Sequence, residues 1–400
     1  MGNELQNMFA KRSIYLDHGA STPVDAAVVA AMQPYWSEVY GNAGSGHGYG
    51  RSAAHALETA RQTVADLLHA QVDEIAFTGG GSESDNLALR GVMWAARRDG
   101  RGNHLITSAI EHAAVLATAV QLRDLFGYDL TILPVDGNGQ VNPDDVAAAI
   151  RPDTVLISIM AANNEVGTLQ PIQEIGRIAR ERGVLFHTDA IQAIATTSWD
   201  MATMPIDLLS VAAHKLYGPK GVGILYTRSG VEVVSALTGG GQENGRRAGT
   251  PSVPLAVGAA TALRIANENV ANHTAHYQHL RDQLITGILD AFPENCRLTG
   301  HPTARLPHNA SFAFRGLNAN DLLMHLDMAG IAASSGSACK TGNPKPSAVL
   351  QAMGFDDTWA VGGLRLTVGK QNTPEEIEFT LSVLSQIVPK LYQLQTIVRE

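Results

Sequence analysis

The chain has 400 residues, of which 45% are hydrophobic and 17% are charged, and its formal net charge is −9. This composition is typical of a globular chain long enough for two domains, and it excludes disordered and fibrous proteins. No run of Lys or Arg exceeds a pair. We therefore expect no direct binding of nucleic acid and no binding to an anionic membrane surface.

The sequence contains two cysteines, Cys296 and Cys339, and no apolar run approaches the roughly 20 residues that a bilayer span requires. Two cysteines are too few to stabilise a secreted fold, which predicts a reducing compartment. The first residues, MGNELQNMFAKR, carry neither an export signal nor a lipidation signal. We expect a cytoplasmic protein without a membrane anchor and without a structural metal.

Short β-branched runs alternate with longer amphipathic segments between residues 75 and 227. The predicted helices in this region are Asn86–Arg97, His112–Leu125 and Ile172–Arg182. Repeated βα units predict an α/β domain with a doubly wound, mostly parallel sheet. The predicted strands are Ile75–Thr78, Leu105–Thr107, Leu130–Leu133, Val155–Ile159, Val184–His187, Leu208–Val211 and Val222–Tyr226.

The regular alternation of predicted strands and helices ends at a long Ala-rich helical stretch that runs roughly from Val253 to Ala291. We predict a large domain over residues 25–265, and a smaller α+β domain formed by residues 1–24 and 266–400. The Gly-rich stretches Gly41–Gly50, Gly79–Gly81 and Gly239–Gly241 are predicted to be loops. The further predicted elements are strands Ala310–Phe314, Ile331–Ser334 and Leu364–Val368 and helices Asp321–Met328, Ser347–Met353 and Pro374–Leu394.

A Gly-rich turn joins the strand Ile75–Thr78 to the helix that begins near Ser84. Its glycines, residues 79–81, allow close approach of a ligand, and Ser82 adds a hydroxyl beside the free N–H groups of the helix N-terminus. This arrangement is typical of a phosphate site. Taken alone it is equally typical of a tight turn, because it lacks both the Walker lysine and the GxGxxG spacing.

Two ionisable residues follow the ends of later strands. Asp189 comes at the end of the apolar run VLFHTDA, and Lys215 leaves the run LLSVAAHK for a loop. Ligands of open α/β sheets collect at the carboxyl ends of the strands. An amine, a carboxylate and a phosphate site together are what pyridoxal 5'-phosphate (PLP) requires, so we favour this cofactor over a coincidence of surface charges.

A set of motifs covers nearly the whole chain in one consistent order. The sequence resembles the cysteine desulfurases, which are class V, fold-type I PLP-dependent transferases, and is most similar to the branch with the longer loop around its active cysteine. The motifs that carry the resemblance are YLDHGASTPVD, FTGGGSESDNLAL, HLITSAIEHAAVL, SIMAANNEVGTLQP, FHTDAIQA, AAHKLYGPKGVG, GGGQENGRRAGT, SSGSACKTG and LRLTVG.

The resemblance implies a role for each residue that contacts the cofactor ring. Lys215 would bond to the aldehyde carbon of the cofactor, Asp189 would pair with its ring nitrogen, and Gln192 would hydrogen-bond its phenolic oxygen. His112 matches the histidine that stacks on the ring and shuttles protons, a task that suits a side chain titrating near neutral pH. Asn164 matches the asparagine that contacts cofactor and substrate.

The resemblance also implies a phosphate site built by two subunits. The matching residues are Gly81, Ser82, His214 and Thr250. In the family the threonine reaches over from the other subunit, so a homodimer with active sites at the subunit interface is implied.

Two further residues match the substrate site. Arg365 corresponds to the arginine that binds the substrate carboxylate, for which its rigid charged fork is suited. Cys339 lies among small residues, as in a loop, beside Lys340, which favours the thiolate. It matches the thiol that receives sulfur as a persulfide, whereas Cys296 is interpreted as structural.

The implied reaction converts L-cysteine to L-alanine and passes the sulfur through Cys339 to an acceptor protein. Iron–sulfur cluster biogenesis, tRNA thiolation and DNA modification remain open as its destination. The alternatives are another class V enzyme (a selenocysteine lyase or an aminotransferase) or a catalytically silent binding scaffold. Cys339 argues against an aminotransferase, and the retention of the other site side chains argues against a scaffold.

The sequence departs from the family pattern at the phosphate site and at its end. Ala212 stands where the family usually has serine, which predicts weaker retention of the cofactor. Gly79 and Gly81 stand where serine and alanine are common, and Ser82 replaces the commoner threonine, which predicts a looser cradle. The sequence ends at Glu400, soon after its last predicted helix, so we do not assume docking to an iron–sulfur scaffold.

Overall fold

A computed structural model describes residues 13–336 and 346–399. Cys339 and its neighbours lie outside the described residues. The described strands are β1 (Ile14–Tyr15), β2 (Ile75–Thr78), β3 (His104–Ser108), β4 (Asp129–Leu133), β5 (Thr154–Ser158), β6 (Leu185–Asp189), β7 (Leu208–Ala212), β8 (Gly223–Thr227), β9 (Cys296–Leu298), β10 (Asn309–Phe314), β11 (Ile331–Ala332) and β12 (Gly363–Thr367).

The described α-helices follow the same order. They are α1 (Ala26–Met32), α2 (Pro34–Ser37), α3 (Gly48–Leu68), α4 (Gly81–Arg98), α5 (Ala113–Phe126), α6 (Pro143–Ala149), α7 (Ile172–Glu181), α8 (Val253–Glu268), α9 (Val270–Ala291), α10 (Ala319–Met328), α11 (Ala348–Ala352), α12 (Asp357–Ala360) and α13 (Pro374–Arg399). None of the helices in these two described ranges is long and apolar enough to cross a bilayer.

A seven-stranded sheet forms the larger layer, with strand order β2-β8-β7-β6-β5-β3-β4. Every neighbouring pair is parallel except the two that involve β8. Helices cover both faces, so the central strands are buried on both sides and consist of nearly continuous apolar runs. The predicted α/β fold class and the seven predicted strands are confirmed, with strand ends that differ by at most two residues.

Two predictions about the flanking segments need correction. The Gly-rich stretch Gly41–Gly50 is not entirely a loop, because α3 begins at Gly48, with His47 accepting a hydrogen bond from the Gly50 N–H at 3.2 Å. The burial of Ala53, Leu57 and Val64 against α8 outweighs the poor helix propensity of these glycines. The long helical stretch is interrupted at Asn269, where φ is −116° and ψ is 11°.

A second apolar core surrounds two small sheets. The strands β12, β10 and β9 form one sheet, and β1 pairs in parallel with β11. Leu16, Phe312 and Leu366 are fully buried in this core, which α9, α10 and α13 cover. The division of the chain into domains at residues 25 and 265 stays a prediction.

The segment that follows β1 joins the small sheets to the large one. Asp17 forms a β-bridge with Thr367 of β12. A few residues later, the Thr22 N–H donates a hydrogen bond to the carbonyl of His214, just after β7, at 3.0 Å. The chain after β1 therefore lies between the end of β12 and the end of β7, and both ends carry predicted site residues.

A buried ion pair provides a test of the packing around β2. Arg61 of α3 donates to both carboxylate oxygens of Glu243, at 2.6 and 3.0 Å, and Glu243 also accepts from the Phe77 N–H. Replacing Arg61 with Met leaves a buried carboxylate without its cation, so Arg61→Met should lower the free energy of unfolding by about 3–5 kcal/mol. Guanidinium unfolding of the apoprotein measures this loss.

Glu58 supplies the matched control. It also contacts Arg61, at 3.3 Å, but its side chain is 58% exposed. Glu58→Gln should change the free energy of unfolding by less than about 1 kcal/mol. Equal losses for Arg61→Met and Glu58→Gln would contradict the importance given to the buried pair.

Candidate active site

A cavity of about 360 Å³ opens where β6 and β7 end and α4 begins. All predicted site residues except Thr250 and Cys339 line it. Ser334 and Gly336 complete one wall, just before the segment that contains Cys339. The lining residues are Gly19, Ala20, Gly81, Ser82, His112, Met160, Asn164, Asp189, Ile191, Gln192, Ala212, His214, Lys215, Ser334, Gly336 and Arg365.

Lys215 lies in a short 3₁₀ turn, Ala213–Lys215, that directly follows β7. Its Nζ donates hydrogen bonds to the carbonyls of Gly19 at 2.6 Å and Ala20 at 2.8 Å. Burial, and after it the positive charge of Arg365, lowers the pKa of Lys215 from 10.5 to about 8. The amine is therefore much easier to deprotonate than a surface lysine, as a nucleophile or a general base requires.

Asp189 is the last residue of β6, and only 4% of its surface is exposed. Burial raises its pKa, while the Ile191 N–H and the positive charge of Lys215 act in the opposite direction. Its Oδ1 accepts from the Ile191 N–H at 2.9 Å. A protonated ring nitrogen in the cavity would be a strong partner for this carboxylate.

His112 serves as the N-cap of α5 and also lines the cavity. Its Nδ1 accepts a hydrogen bond from the Ala114 N–H at 3.1 Å. This bond places the proton of the neutral ring on Nε2. Capping a helix and contacting a ligand are therefore compatible tasks for this residue.

Arg365 is anchored on two sides by the protein. Its Nη2 forms an ion pair with Asp17 at 2.8 Å, and its Nη1 donates to the main-chain carbonyl of Asn164 at 2.7 Å. Its buried Nε has no hydrogen-bond partner among the described residues. Because Arg365 lines the cavity, its guanidinium suits the binding of a substrate carboxylate.

The Gly-rich turn between β2 and α4 forms one end of the cavity. Gly80 has a φ of 150°, a conformation that favours glycine, and α4 begins at the next residue. Gly79 and Glu83 hold the turn together, because the Gly79 N–H donates to Glu83 Oε2 at 2.8 Å. Arg247 pairs with the same carboxylate at 2.8 Å and offsets its charge beside the predicted phosphate site.

The prediction of a looser cradle is wrong at Gly81. A Cβ atom built on Gly81 would lie 2.2 Å from Cδ1 of Ile191 and 3.2 Å from Cβ of Ala212. The Ile191 side chain thus occupies the space that an alanine at position 81 would need. Gly81 and Ile191 therefore fit each other sterically, although they are 110 residues apart in sequence.

The two remaining predicted residues are not part of this cavity as described. Thr250 is exposed and does not line the cavity of its own chain. Cys339 lies outside the described residues. The role of the threonine at a partner's phosphate site and the role of the thiol both stay predictions.

The residues of the cavity fit PLP. A lysine amine with a lowered pKa, a buried carboxylate and a helix N-terminus after glycines are the donor set that this cofactor needs. Gln192 and His214 line the same cavity. Burial and the nearby lysines lower the pKa of His214 to about 4, so its ring is neutral at pH 7.

Asp17 is the main site residue that the sequence analysis did not predict. It does not line the cavity but is the ion-pair partner of Arg365, and its charge also acts on Lys215. The available signal was its place in YLDHGAST, directly after a short apolar run. Gly19 and Ala20, whose carbonyls hold Lys215, follow in the same motif.

The chain belongs to the aminotransferase class-V family, whose profile matches residues 14–379. It is 46% identical to a protein named cysteine desulfurase IscS from Methanosarcina thermophila, over 95% of this chain and 93% of the relative. The predicted membership of the cysteine desulfurases is confirmed, and these relatives favour a desulfurase over an aminotransferase.

Solved structures agree with this assignment. A NifS-like protein matches with a TM-score of 0.88 and 36% identity, covering 95% of this chain and 100% of that chain. A structure described as SspA in complex with cysteine matches with a TM-score of 0.77 and 35% identity, covering 90% of this chain and 100% of that chain.

The lowered pKa of Lys215 predicts how the apoprotein captures its cofactor. Only the uncharged amine attacks an aldehyde, so the rate of PLP binding should rise with pH and level off near the pKa of about 8. An unperturbed lysine would reach its plateau near 10.5. Stopped-flow absorbance of the apoprotein mixed with PLP at a series of pH values measures this midpoint.

Asp17→Asn tests the electrostatic cause of this behaviour. The Asp17 charge raises the pKa of Lys215, so its removal should move the midpoint to lower pH. A midpoint in the variant that is unchanged or higher would contradict this account of the site.

The contact between Gly81 and Ile191 predicts a compensating pair of substitutions. Gly81→Ala should weaken PLP binding and lower the melting temperature of the apoprotein, since overpacking costs about 1–3 kcal/mol. Ile191→Val removes Cδ1 and should restore most of the loss in the double variant. Gly46→Ala is the control, because nothing lies within 4 Å of the added Cβ. Losses that simply add in the double variant would refute the steric explanation.

Proposed function

We propose that this chain is a PLP-dependent cysteine desulfurase that converts L-cysteine to L-alanine and transfers the sulfur to its own Cys339. The observation that carries the proposal is the convergence of Lys215, Asp189 and Arg365 on one cavity. The names of the relatives and the cysteine in one matching structure support the substrate.

The cofactor would be held at its ring and at its phosphate. Lys215 would bond to its aldehyde carbon, Asp189 would pair with the ring nitrogen, and Gln192 would bind the phenolic oxygen. PLP, when bound, supplies an electron sink that stabilises negative charge developing on the carbon atoms of the substrate. The proposed phosphate ligands are Gly81, Ser82, His214 and, from the second subunit of a homodimer, Thr250.

The substrate would be oriented by its carboxylate. Arg365 presents its guanidinium to the cavity, and the ion pair with Asp17 fixes the plane of this group before the substrate arrives. Asn164 lies beside it and provides a further polar contact. The Cα of cysteine would then lie within reach of Lys215, which is suited to take its proton because the pKa of this amine is lowered to about 8.

The sulfur step would use Cys339. Its thiolate attacks the substrate sulfur, so that an S–S bond forms while the Cβ–S bond breaks and its electron pair passes to the carbon skeleton. Protonation of that skeleton, with Lys215 and His112 as the available groups, yields alanine. The persulfide is then passed to an acceptor protein in the cytoplasm. Iron–sulfur cluster biogenesis is the destination suggested by the relatives named IscS.

The two cysteines give a matched pair of variants that tests the proposal. Cys339→Ala should still bind cysteine, seen as a change in the absorbance of the cofactor, but should lose sulfide and alanine production almost completely. Cys296→Ala should keep both products, because Cys296 is buried and burial raises the pKa of its thiol to about 12. Product assays with a reductant present measure both variants, and equal turnover by Cys339→Ala and wild type would refute the role of this thiol.

A further inference from the structure

A polar layer lies directly below the cavity, on the face of the large sheet that α4 covers. Alternate residues of a strand share a face, and on three strands this face changes from leucine to polar side chains near the strand ends. In order toward the strand ends these side chains are Leu156 and Ser158 on β5, Leu185, His187 and Asp189 on β6, and Leu208 and Ser210 on β7.

His187 lies at the centre of this layer and is completely buried. Its Nδ1 lies 2.8 Å from the hydroxyl oxygen of Ser158, and its Nε2 lies 3.0 Å from that of Ser210. Asp85 of α4 approaches the same nitrogen, with its Oδ1 at 3.7 Å from Nε2. Four polar side chains thus form a row beneath the cavity, and Asp189 continues β6 into the cavity wall.

Asp85 is an anomaly within this row. It is fully buried, and neither of its carboxylate oxygens forms a hydrogen bond of normal geometry among the described residues, although the Ser210 hydroxyl lies near enough to act on its pKa. An ionised carboxylate without a partner is strongly unfavourable in a protein interior. Buried polar groups that reduce the stability of the fold are commonly found at functional sites, where their role outweighs the lost stability.

The groups that face Asp85 do not compensate a negative charge. They are Asp189, Glu111, His187 and Ser210. Burial lowers the pKa of His187 to about 3, so its ring is neutral. Burial, followed by the charge of Asp189, raises the pKa of Asp85 well above its usual range, and the Ser210 hydroxyl offsets this only in part.

Asp189 has the stabilising neighbours that Asp85 lacks. The Ile191 N–H donates to its Oδ1 at 2.9 Å, and the positive charge of Lys215 favours its ionised form. When two nearby carboxyls compete in a buried site, the proton goes to the one with the poorer surroundings. That carboxyl is Asp85.

We infer that Asp85 is a protonated positioning residue: it donates a hydrogen bond to Ser210, directs the chain from Ser210 through His187 to Ser158, and confines the negative charge to Asp189. Ser210 then donates to His187 Nε2, and His187 Nδ1–H donates to Ser158. An ionised Asp85 would accept from Ser210 and reverse this chain. The importance of the charge on Asp189 rests on the proposed function, whereas the protonation of Asp85 does not.

Infrared spectroscopy of the apoprotein tests the protonation directly. At neutral pH the wild type should show the C=O stretch of a buried protonated carboxylic acid, and Asp85→Asn should remove this band. Glu111→Gln is the control, because burial raises the pKa of Glu111 to about 8 and its own protonated band should disappear separately. Protonated carboxyl bands that Asp85→Asn leaves unchanged would overturn the inference, whatever the fate of the proposed reaction.

The melting temperature of the apoprotein gives a second test with a defined sign. The pKa of Asp85 is higher in the folded than in the unfolded chain, so the wild type loses stability as pH rises above about 4. The amide of Asp85→Asn does not ionise, so the variant does not lose stability in this way. Its melting temperature should exceed that of wild type at pH 7, and the difference should shrink as the pH falls toward about 4. A difference that does not depend on pH would contradict the inference.

Cofactor affinity tests the positioning role. Asn retains a donor toward Ser210, so Asp85→Asn should bind PLP within about twofold of wild type, whereas Asp85→Ala should bind roughly tenfold more weakly. Absorbance titration of apoproteins whose folding has been checked by thermal unfolding measures both. Equal affinity of the Ala variant and wild type, or a tenfold loss in the Asn variant, would overturn this role. If Asp85→Ala does not fold, the Asn variant alone still decides.

Discussion

The hydrogen bonds from the Lys215 amine to the carbonyls of Gly19 and Ala20 are the constraint on which the site depends. They join the turn after β7 to the segment that follows β1. The same segment holds Arg365 through Asp17 and accepts a hydrogen bond from Gln192 at the Gly19 carbonyl, at 3.0 Å. One short stretch of chain therefore sets the positions of an amine, a guanidinium and an amide that come from distant parts of the sequence.

The site brings together two cationic and two anionic side chains that are largely buried. Lys215 and Arg365 would repel each other, and Asp17 and Asp189 partly offset this repulsion, so the pKa of the amine is lowered to about 8 and not further. Below the cavity the carboxyl of Asp85 has no cation beside it among the described residues, and the neighbouring His187 is neutral. The site thus confines ionised groups to the cavity wall and keeps the layer beneath it neutral, which strengthens the electrostatic effect of each remaining charge.

The sequence predicted the large sheet well because parallel strands buried on both faces consist of short continuous apolar runs, as in β5 and β7. It also predicted most cavity residues, since Asp189 and Lys215 follow such runs directly. The strand β1 has only two residues and is too short for any periodicity to be visible, whereas β11 lies within the predicted strand Ile331–Ser334 and ends two residues earlier. The contact between Gly81 and Ile191 and the isolation of Asp85 were inaccessible for another reason: each depends on packing between distant segments, and Asp85 in ESDN resembles an ordinary polar helix residue.

The central claim is that Lys215 is the amine that holds the cofactor, and peptide mapping tests it most directly. Borohydride reduction of the PLP-loaded protein fixes the cofactor to its amine, and mass spectrometry of the digested protein then locates it. The account predicts that the label lies on Lys215 and is absent from Lys220, which is exposed five residues further on. A label on Lys220, or a loaded protein without any labelled lysine, would contradict the account.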